Sequence, residues 1–239
     1  MPRFFVDNIT ETTEIIGADA AHISRSLRMR VDDDIVLCDK TGYDFLCKIE
    51  SFTESSVFCR LIEKVPSISE PNIKLTLYQA LPKLDKFETI IQKSVELGVT
   101  KIVPVITARC VSRPDEKGFL KKLDRYEKIS LEAAKQSGRG IVPEITGIIN
   151  YKTAISEMKD SDIGLICYEK GGETLNNVGK KKKKSVSVLV GSEGGFDSSE
   201  AEYAKNNGII PVTLGNRILR CETAPLAVMS IIMNLTGNM

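Results

Sequence analysis

The sequence predicts an α/β protein in which a small β-rich domain precedes a parallel sheet covered by helices on both faces. Short β-prone runs separated by turn residues fill the chain up to Ile68, whereas strands and helices alternate from Ile73 on. Such alternation belongs to parallel sheets with crossover helices. Two apolar runs near the C-terminus, 186–190 and 212–214, each pass into a glycine-bearing loop and then a helix. Between the two patterns, Val65-Pro-Ser-Ile-Ser-Glu-Pro71 combines two prolines with small polar residues and reads as a linker. The domains are therefore expected at 1–68 and 72–239.

In the first domain, an N-terminal strand is followed by strands over 35–38, 43–49 and 56–61, with Asp39-Lys-Thr-Gly42 as a hairpin turn. A short helical stretch over 19–27 precedes those three and brings Arg25 and Arg28 to one face at i,i+3 spacing, with Arg30 just beyond. Two readings stand for these arginines. They contact phosphate, or they form a solvated face balanced by Asp32, Asp33 and Asp34.

The second domain opens with a strand over 74–80. A helix over 86–97 follows, with Phe87, Ile90, Ile91, Ser94 and Leu97 on one side and Gly98 as its stop. After a strand at 101–105 comes a long lysine-rich helix, 118–137, that ends at Gly138. A helix over 151–158 and strands over 163–168 and 185–190 lead to the two glycine-bearing loops. Ser198, with Glu200 and Glu202 after it, starts an amphipathic helix. The last helix opens at Thr223 with Pro225 in its first turn. Its apolar residues, Leu226, Met229, Ile232, Met233 and Leu235, suit a core or a dimer interface. The lysine run at 180–184 reads as a solvated loop, with phosphate contact as the other possibility.

Composition narrows the function classes. The 239 residues are 42% hydrophobic and 27% charged, as in an ordinary globular protein. No apolar run approaches the roughly 20 residues of a membrane span, and the N-terminus lacks a signal-peptide core, so a cytoplasmic protein without membrane partners is expected. Six scattered cysteines without a C-x-x-C pair, and His22 as the one histidine, argue against a zinc site and against most histidine catalysis. A net charge of +1 makes no global case for nucleic acid, yet its distribution is uneven. Eight basic residues face twelve acidic ones up to Ile68, against 25 and 20 in the remainder. The second domain is thus mildly basic, as local RNA contacts allow.

The two loops carry more charge and glycine than simple turns need. Gly191, Glu193, Gly194 and Gly195 occupy one, while Gly215, Arg217, Arg220 and Glu222 occupy the other. Two loops at the carboxyl ends of strands are what a cofactor crevice in an open α/β sheet requires. Phosphate-binding signatures of other nucleotide proteins, G-x-x-x-x-G-K-[ST] and G-x-G-x-x-G after an early strand, are absent.

These segments resemble the cofactor loops of the SPOUT methyltransferases, specifically those of the ribosomal RNA small-subunit methyltransferase E family. That family's pattern is a Gly-Pro-Glu-Gly-Gly loop and a Leu-Gly-x-Arg-Ile-Leu-Arg-x-Glu-Thr-Ala segment. This chain has Gly191-Ser-Glu-Gly-Gly195, with Ser192 where proline is usual, and matches the second segment from Leu214 through Ala224. The likeness extends to Gln79-Ala-Leu-Pro-Lys-Leu-Asp-Lys86, Glu96-Leu-Gly98 and Glu132-Ala-Ala-Lys-Gln-Ser-Gly-Arg139. It implies a PUA-like β-barrel that grips RNA, then a SPOUT-type parallel sheet with a C-terminal trefoil knot, in a homodimer. It also implies S-adenosylmethionine as cofactor and N3 of a uridine in 16S rRNA of the small ribosomal subunit as target.

On that resemblance, backbone groups of Leu189, Gly191, Gly195, Leu214, Ile218, Leu219 and Thr223 are expected around the adenosyl moiety. Tyr168, Glu193, Gly194, Gly215 and Ala224 complete the cofactor set. A uridine N3 carries a proton at neutral pH, and its anion spreads onto O2 and O4. A fixed arginine beside those oxygens would stabilise the anion. Arg220 is the first candidate, Arg217 the second and Arg139 the third, each with a structural ion pair to Glu193 or Glu222 as its other reading. Glu222 is expected to orient neighbours rather than accept a proton, and Lys83 and Arg217 to meet RNA. Two rival functions remain on the sequence: a non-catalytic RNA-binding protein, and a SPOUT methyltransferase acting on another RNA position.

Overall fold

The computed structural model describes residues 1–176 and 183–239. Its chain divides into one unit of Met1–Glu70 with Ala134–Val142, and another of Pro71–Ala133 with Pro143–Met239.

The first unit is built on a five-stranded sheet of β1 (Arg3–Phe5), β2 (Thr12–Ile16), β3 (Asp34–Cys38), β4 (Tyr43–Phe52) and β5 (Ser56–Pro66). Their order is β1-β3-β4-β5-β2, antiparallel except for the β1–β3 pair. Alternating residues of these strands turn inward, and Phe4, Ile15, Ile35, Leu37, Ile49 and Val57 share one core with Ile23. The β3–β4 turn is the expected one. Lys40 and Gly42 take φ of 66° and 86°, and the Asp39 carboxylate accepts the Thr41 N–H at 3.0 Å. β5 runs further than its alternation predicts and takes Val65 and Pro66 out of the expected linker, because Tyr43 and Asp44 of β4 pair with them.

The helical stretch differs from expectation. α1 (Gly17–Ala21) gives way to a π-helical turn, His22–Ser26, and Arg28 lies outside it with φ of 52°. Arg25 and Arg28 therefore do not share a helix face at i,i+3; the wider turn and the left-handed residue break that register.

Ala134–Val142 packs with the first unit rather than within 72–239. Glu70 accounts for this. Its carboxylate accepts from Arg139 Nη2 at 2.7 Å and from the backbone N–H groups of Gly140 and Ile141 at 2.9 and 3.0 Å. Arg139 is only 2% exposed.

The second unit has one parallel sheet of β6 (Lys74–Ala80), β7 (Lys101–Ile106), β8 (Glu144–Ile145), β9 (Ile149–Asn150), β10 (Ile163–Cys167), β11 (Ser185–Val190) and β12 (Ile210–Val212). The order is β12-β10-β11-β6-β7-β8, with β9 also on β7. The middle strands β6 and β11 are buried almost throughout, as strands covered on both faces are, and they take Gln79 and Ser187 into the core along with their apolar residues. Helices α2 (Lys86–Glu96), α3 (Glu116–Gln136), α4 (Tyr151–Met158), α5 (Ser198–Asn206) and α6 (Ala224–Leu235) connect or follow them. α5 opens on a capping box, in which Asp197 accepts from Ser199 N–H and Glu200 reaches back to the Asp197 N–H. α6 buries Pro225, Val228, Met229, Ile232 and Met233.

The last strand ends earlier than predicted. After Val212, whose carbonyl accepts the Tyr168 N–H at 3.0 Å, the Thr213 N–H turns to the Glu173 carbonyl at 3.1 Å. Leu214 consequently sits in a loop rather than a strand. β8 and β9, two residues each, are too short to leave a period in the sequence. Lysines 180–182 of the lysine run lie outside the described residues. Among the described residues no helix is long and apolar enough to cross a membrane, and no cluster of three metal-ligating side chains occurs.

Candidate active site

Parallel pairing of β10 with β11 and with β12 sets the carboxyl ends of three strands side by side. The loops that leave those ends enclose a cavity of about 780 Å³. One wall is the glycine loop after β11. It folds back on itself through the Gly195 N–H, which donates to the Ser192 carbonyl at 3.0 Å. Gly195 has φ of 63°, and a Cβ there would stand 2.9 Å from the Glu169 carboxylate. A side chain at Gly191 would come within 3.1 Å of Gly195 Cα. Glycine is thus required by conformation at one position and by close backbone approach at the other.

Beneath this loop the amide of Gln79, wholly buried at the end of β6, donates from Nε2 to the Gly191 carbonyl at 3.3 Å. Two buried oxygens at the same place, Gln79 Oε1 and Ser192 Oγ, have no hydrogen-bond partner among the described residues. Polar groups withdrawn from water and left unpaired are destabilising unless a ligand satisfies them.

The opposite wall is the loop over 213–221. Val190, Leu214 and Leu219 give the cavity apolar surface, and Arg217, Ile218 and Arg220 stand exposed along it. The residues that the sequence nominates for the cofactor line this cavity, with two exceptions. Leu189 is wholly buried in the core, and its strand is paired on both sides with β10 and β6. The Thr223 N–H is taken by the Arg220 carbonyl at 2.9 Å, closing the turn into α6. Neither one borders the cavity.

Charge at the site is arranged around a residue the sequence did not nominate. Lys86, the first residue of α2, places Nζ 3.3 Å from Glu193 and 3.2 Å from Glu222. Glu193 also accepts the Lys83 N–H at 3.1 Å, and the buried Cys221 thiol donates to Glu222 at 3.1 Å. The Cys221 thiol hydrogen bond, with Lys86 behind it, holds the Glu222 carboxyl below its ordinary range. For Glu193 burial acts in the opposite sense, but its backbone donors and Lys86 outweigh it and the carboxyl is lowered. Lys86 is in turn raised, first by its hydrogen bond to Glu222. A signal for Lys86 exists in the sequence: a lysine on the first turn of a helix opposes the helix dipole and calls for an anionic partner.

Lys86 therefore occupies the carboxylates that were the expected alternative partners of the arginines. Among the described residues, neither Arg217 nor Arg220 forms an ion pair. Arg139 is a correction to the sequence expectation. It belongs to the first unit, is absent from the cavity lining, and pairs with Glu70 at 2.7 Å. Lys83 is exposed and reaches the site through its backbone alone.

In the first unit Arg25, Arg28 and Arg30 are all exposed. Of the three aspartates beyond them, Asp33 accepts the Arg30 backbone N–H at 2.7 Å and Asp34 pairs with Lys48 at 3.0 Å. None of the three guanidinium groups is ion-paired among the described residues.

Residues 69–233 match the model of an RNA methyltransferase domain, and residues 15–62 that of an RNA methyltransferase PUA domain. The chain is 35% identical to the ribosomal RNA small subunit methyltransferase E of Bacillus subtilis, over 97% of this chain and 96% of that one. It is 33% identical to the protein of the same name from Mesomycoplasma hyopneumoniae, over 95% and 96%. Among solved structures, a ribosomal RNA small subunit methyltransferase E from Neisseria gonorrhoeae bound to S-adenosyl methionine superposes with a TM-score of 0.88, at 32% identity and 98% coverage of each chain. On the domain match and these full-length likenesses, the chain belongs to the ribosomal RNA small subunit methyltransferase E family.

Proposed function

We propose that this protein transfers a methyl group from S-adenosylmethionine to N3 of a uridine in 16S rRNA. It does so in the cytoplasm, as a homodimer acting on the small ribosomal subunit, with a SPOUT-type trefoil knot in its methyltransferase unit. The observation that carries the reading is the cavity at three parallel strand ends, with two unpaired arginines along its wall. The Neisseria relative's bound cofactor supports it.

The residues present fit the cofactor. Ser192 Oγ, buried at the cavity wall without a partner among the described residues, offers a hydrogen bond to a polar ligand, and Gly191 and Gly195 let the loop that forms this wall fold tightly. Val190, Leu214 and Leu219 provide the apolar slot that an adenine ring needs. Bound there, S-adenosylmethionine supplies an electrophilic methyl group on a positively charged sulfur.

The chain's own groups deal with the acceptor. Arg220 stays protonated and presents its fork of donors to O2 or O4 of the pyrimidine, where charge collects as the N3 proton leaves. Glu193 and Glu222, both held below the ordinary carboxyl range, are weak proton acceptors and act by orienting their neighbours. Arg25, Arg28 and Arg30 contact phosphate and fix the RNA in register. Changing all three to alanine is expected to weaken rRNA binding and to flatten its salt dependence by about 3 in the slope of log K against log salt, with cofactor affinity retained. An unaltered slope in a salt titration would remove these arginines from the RNA face.

Incubation with labelled S-adenosylmethionine and undermethylated small subunits, followed by mapping of the modified nucleoside, tests the reading. Label in 3-methyluridine of 16S rRNA is expected. Label on another nucleotide would favour the alternative methyl acceptor, and RNA binding without label would favour a non-catalytic binder.

A further inference from the structure

Four charged side chains belong to the two loops at the cavity, two acids and two arginines, and they do not pair with one another. Glu222 lies two residues from Arg220, and Glu193 lies on the facing glycine loop. Arginine is the better carboxylate partner of the two cations, because its planar fork matches two oxygens at once. Yet both carboxylates turn to Lys86, at 3.3 and 3.2 Å.

Local structure explains the preference. Lys86 is the first residue of α2, so the carboxylates that it draws in also lie by the helix N-terminus, where negative charge is favoured. Backbone from the preceding loop reinforces the arrangement through the Lys83 N–H on Glu193, and the Cys221 thiol fixes the Glu222 oxygen that Lys86 also touches. Each carboxylate thus has two anchors, of which Lys86 is the shared and charged one.

We propose that Lys86 is a positioning residue that sequesters Glu193 and Glu222 and so keeps Arg220 and Arg217 free for the RNA substrate. The proposal rests on the methyltransferase reading for its consequence in turnover, but not for its geometry. Without the ammonium group, two anions lose their shared cation on the segments that also carry Arg217 and Arg220, and Arg220 is expected to close on Glu222 or Glu193. The arginine then offers fewer donors to the pyrimidine oxygens, while the apolar slot of Val190, Leu214 and Leu219 is unaltered.

Lys86→Met tests this, because it keeps the length of the stem and deletes the charge. Phenylglyoxal labelling of Arg220, mapped by mass spectrometry, reads the free guanidinium directly and needs no activity. Arg220 is expected to label about fivefold more slowly in Lys86→Met than in the wild type, the protection that a partly exposed ion pair gives. Labelling should return to the wild-type rate in Lys86→Met/Glu193→Gln/Glu222→Gln, and Lys86→Arg should label as the wild type does. Turnover on small subunits should fall alongside in Lys86→Met with cofactor affinity unchanged. Equal Arg220 labelling in the wild type and Lys86→Met overturns the proposal. A wild-type enzyme that labels as expected but transfers no methyl group refutes the methyltransferase reading and leaves the sequestering role standing.

Discussion

Arg220→Ala is expected to lower methyl transfer by about 10²–10³-fold, the usual loss when one preorganised donor to a developing oxyanion is removed. Cofactor affinity should hold, because the cavity's glycine loop and apolar wall do not depend on this side chain. The separation of effects matters more than the size of the loss. An interaction made only in the transition state lowers kcat and kcat/KM together, whereas one made equally with the ground state raises KM alone. Single-turnover rates and calorimetric cofactor binding measure the two sides. Strong loss of cofactor binding with turnover otherwise intact would reassign Arg220 to the cofactor.

Glu70→Ala is expected to destabilise the protein by about 3 kcal/mol, the loss typical of removing one partner of a buried ion pair. Arg139 is almost wholly buried, and Glu70 collects its guanidinium together with the N–H groups of Gly140 and Ile141. Removing the carboxylate takes a shared acceptor from the Arg139 guanidinium and from two backbone N–H groups. Urea unfolding followed by circular dichroism checks this through the midpoint, with Glu70→Gln as the milder variant that keeps the acceptor oxygen. A midpoint that does not move would show that this ion pair is not what secures the turn after α3.

Much of the second unit was legible because its strands and helices carry strong periods. The limits 151–158 for α4 were read as the structure has them, since Tyr151, Ala154, Ile155 and Met158 form one buried stripe. The last strand was misread by two residues, because Val212-Thr-Leu214 is as β-prone as Ile210–Val212 and only pairing with β10 decides where the ladder stops. The π-helical turn at His22–Ser26 and the left-handed Arg28 had no local signature either.

The site was legible to the extent that its chemistry is local. Glycines needing positive φ or close approach, and arginines flanking them, lie within two short segments and stand out in a single chain. Arg139 and Lys86 went astray for the same physical reason. Ion pairing depends on which carboxylate arrives from elsewhere in the fold: Glu70 for Arg139, 69 residues away, and Glu193 and Glu222 for Lys86. Sequence spacing carries no trace of such partners, whereas it does carry a cap or an amphipathic stripe.

The measurement that bears most directly on this account is a crystal structure of the protein soaked with S-adenosylmethionine. The donor is expected between the Gly191–Gly195 backbone and the 213–221 loop, with Ser192 Oγ now hydrogen-bonded and Arg220 still free of Glu222. Density for the donor in any other part of the molecule, or side chains closing that cavity against it, would contradict the account.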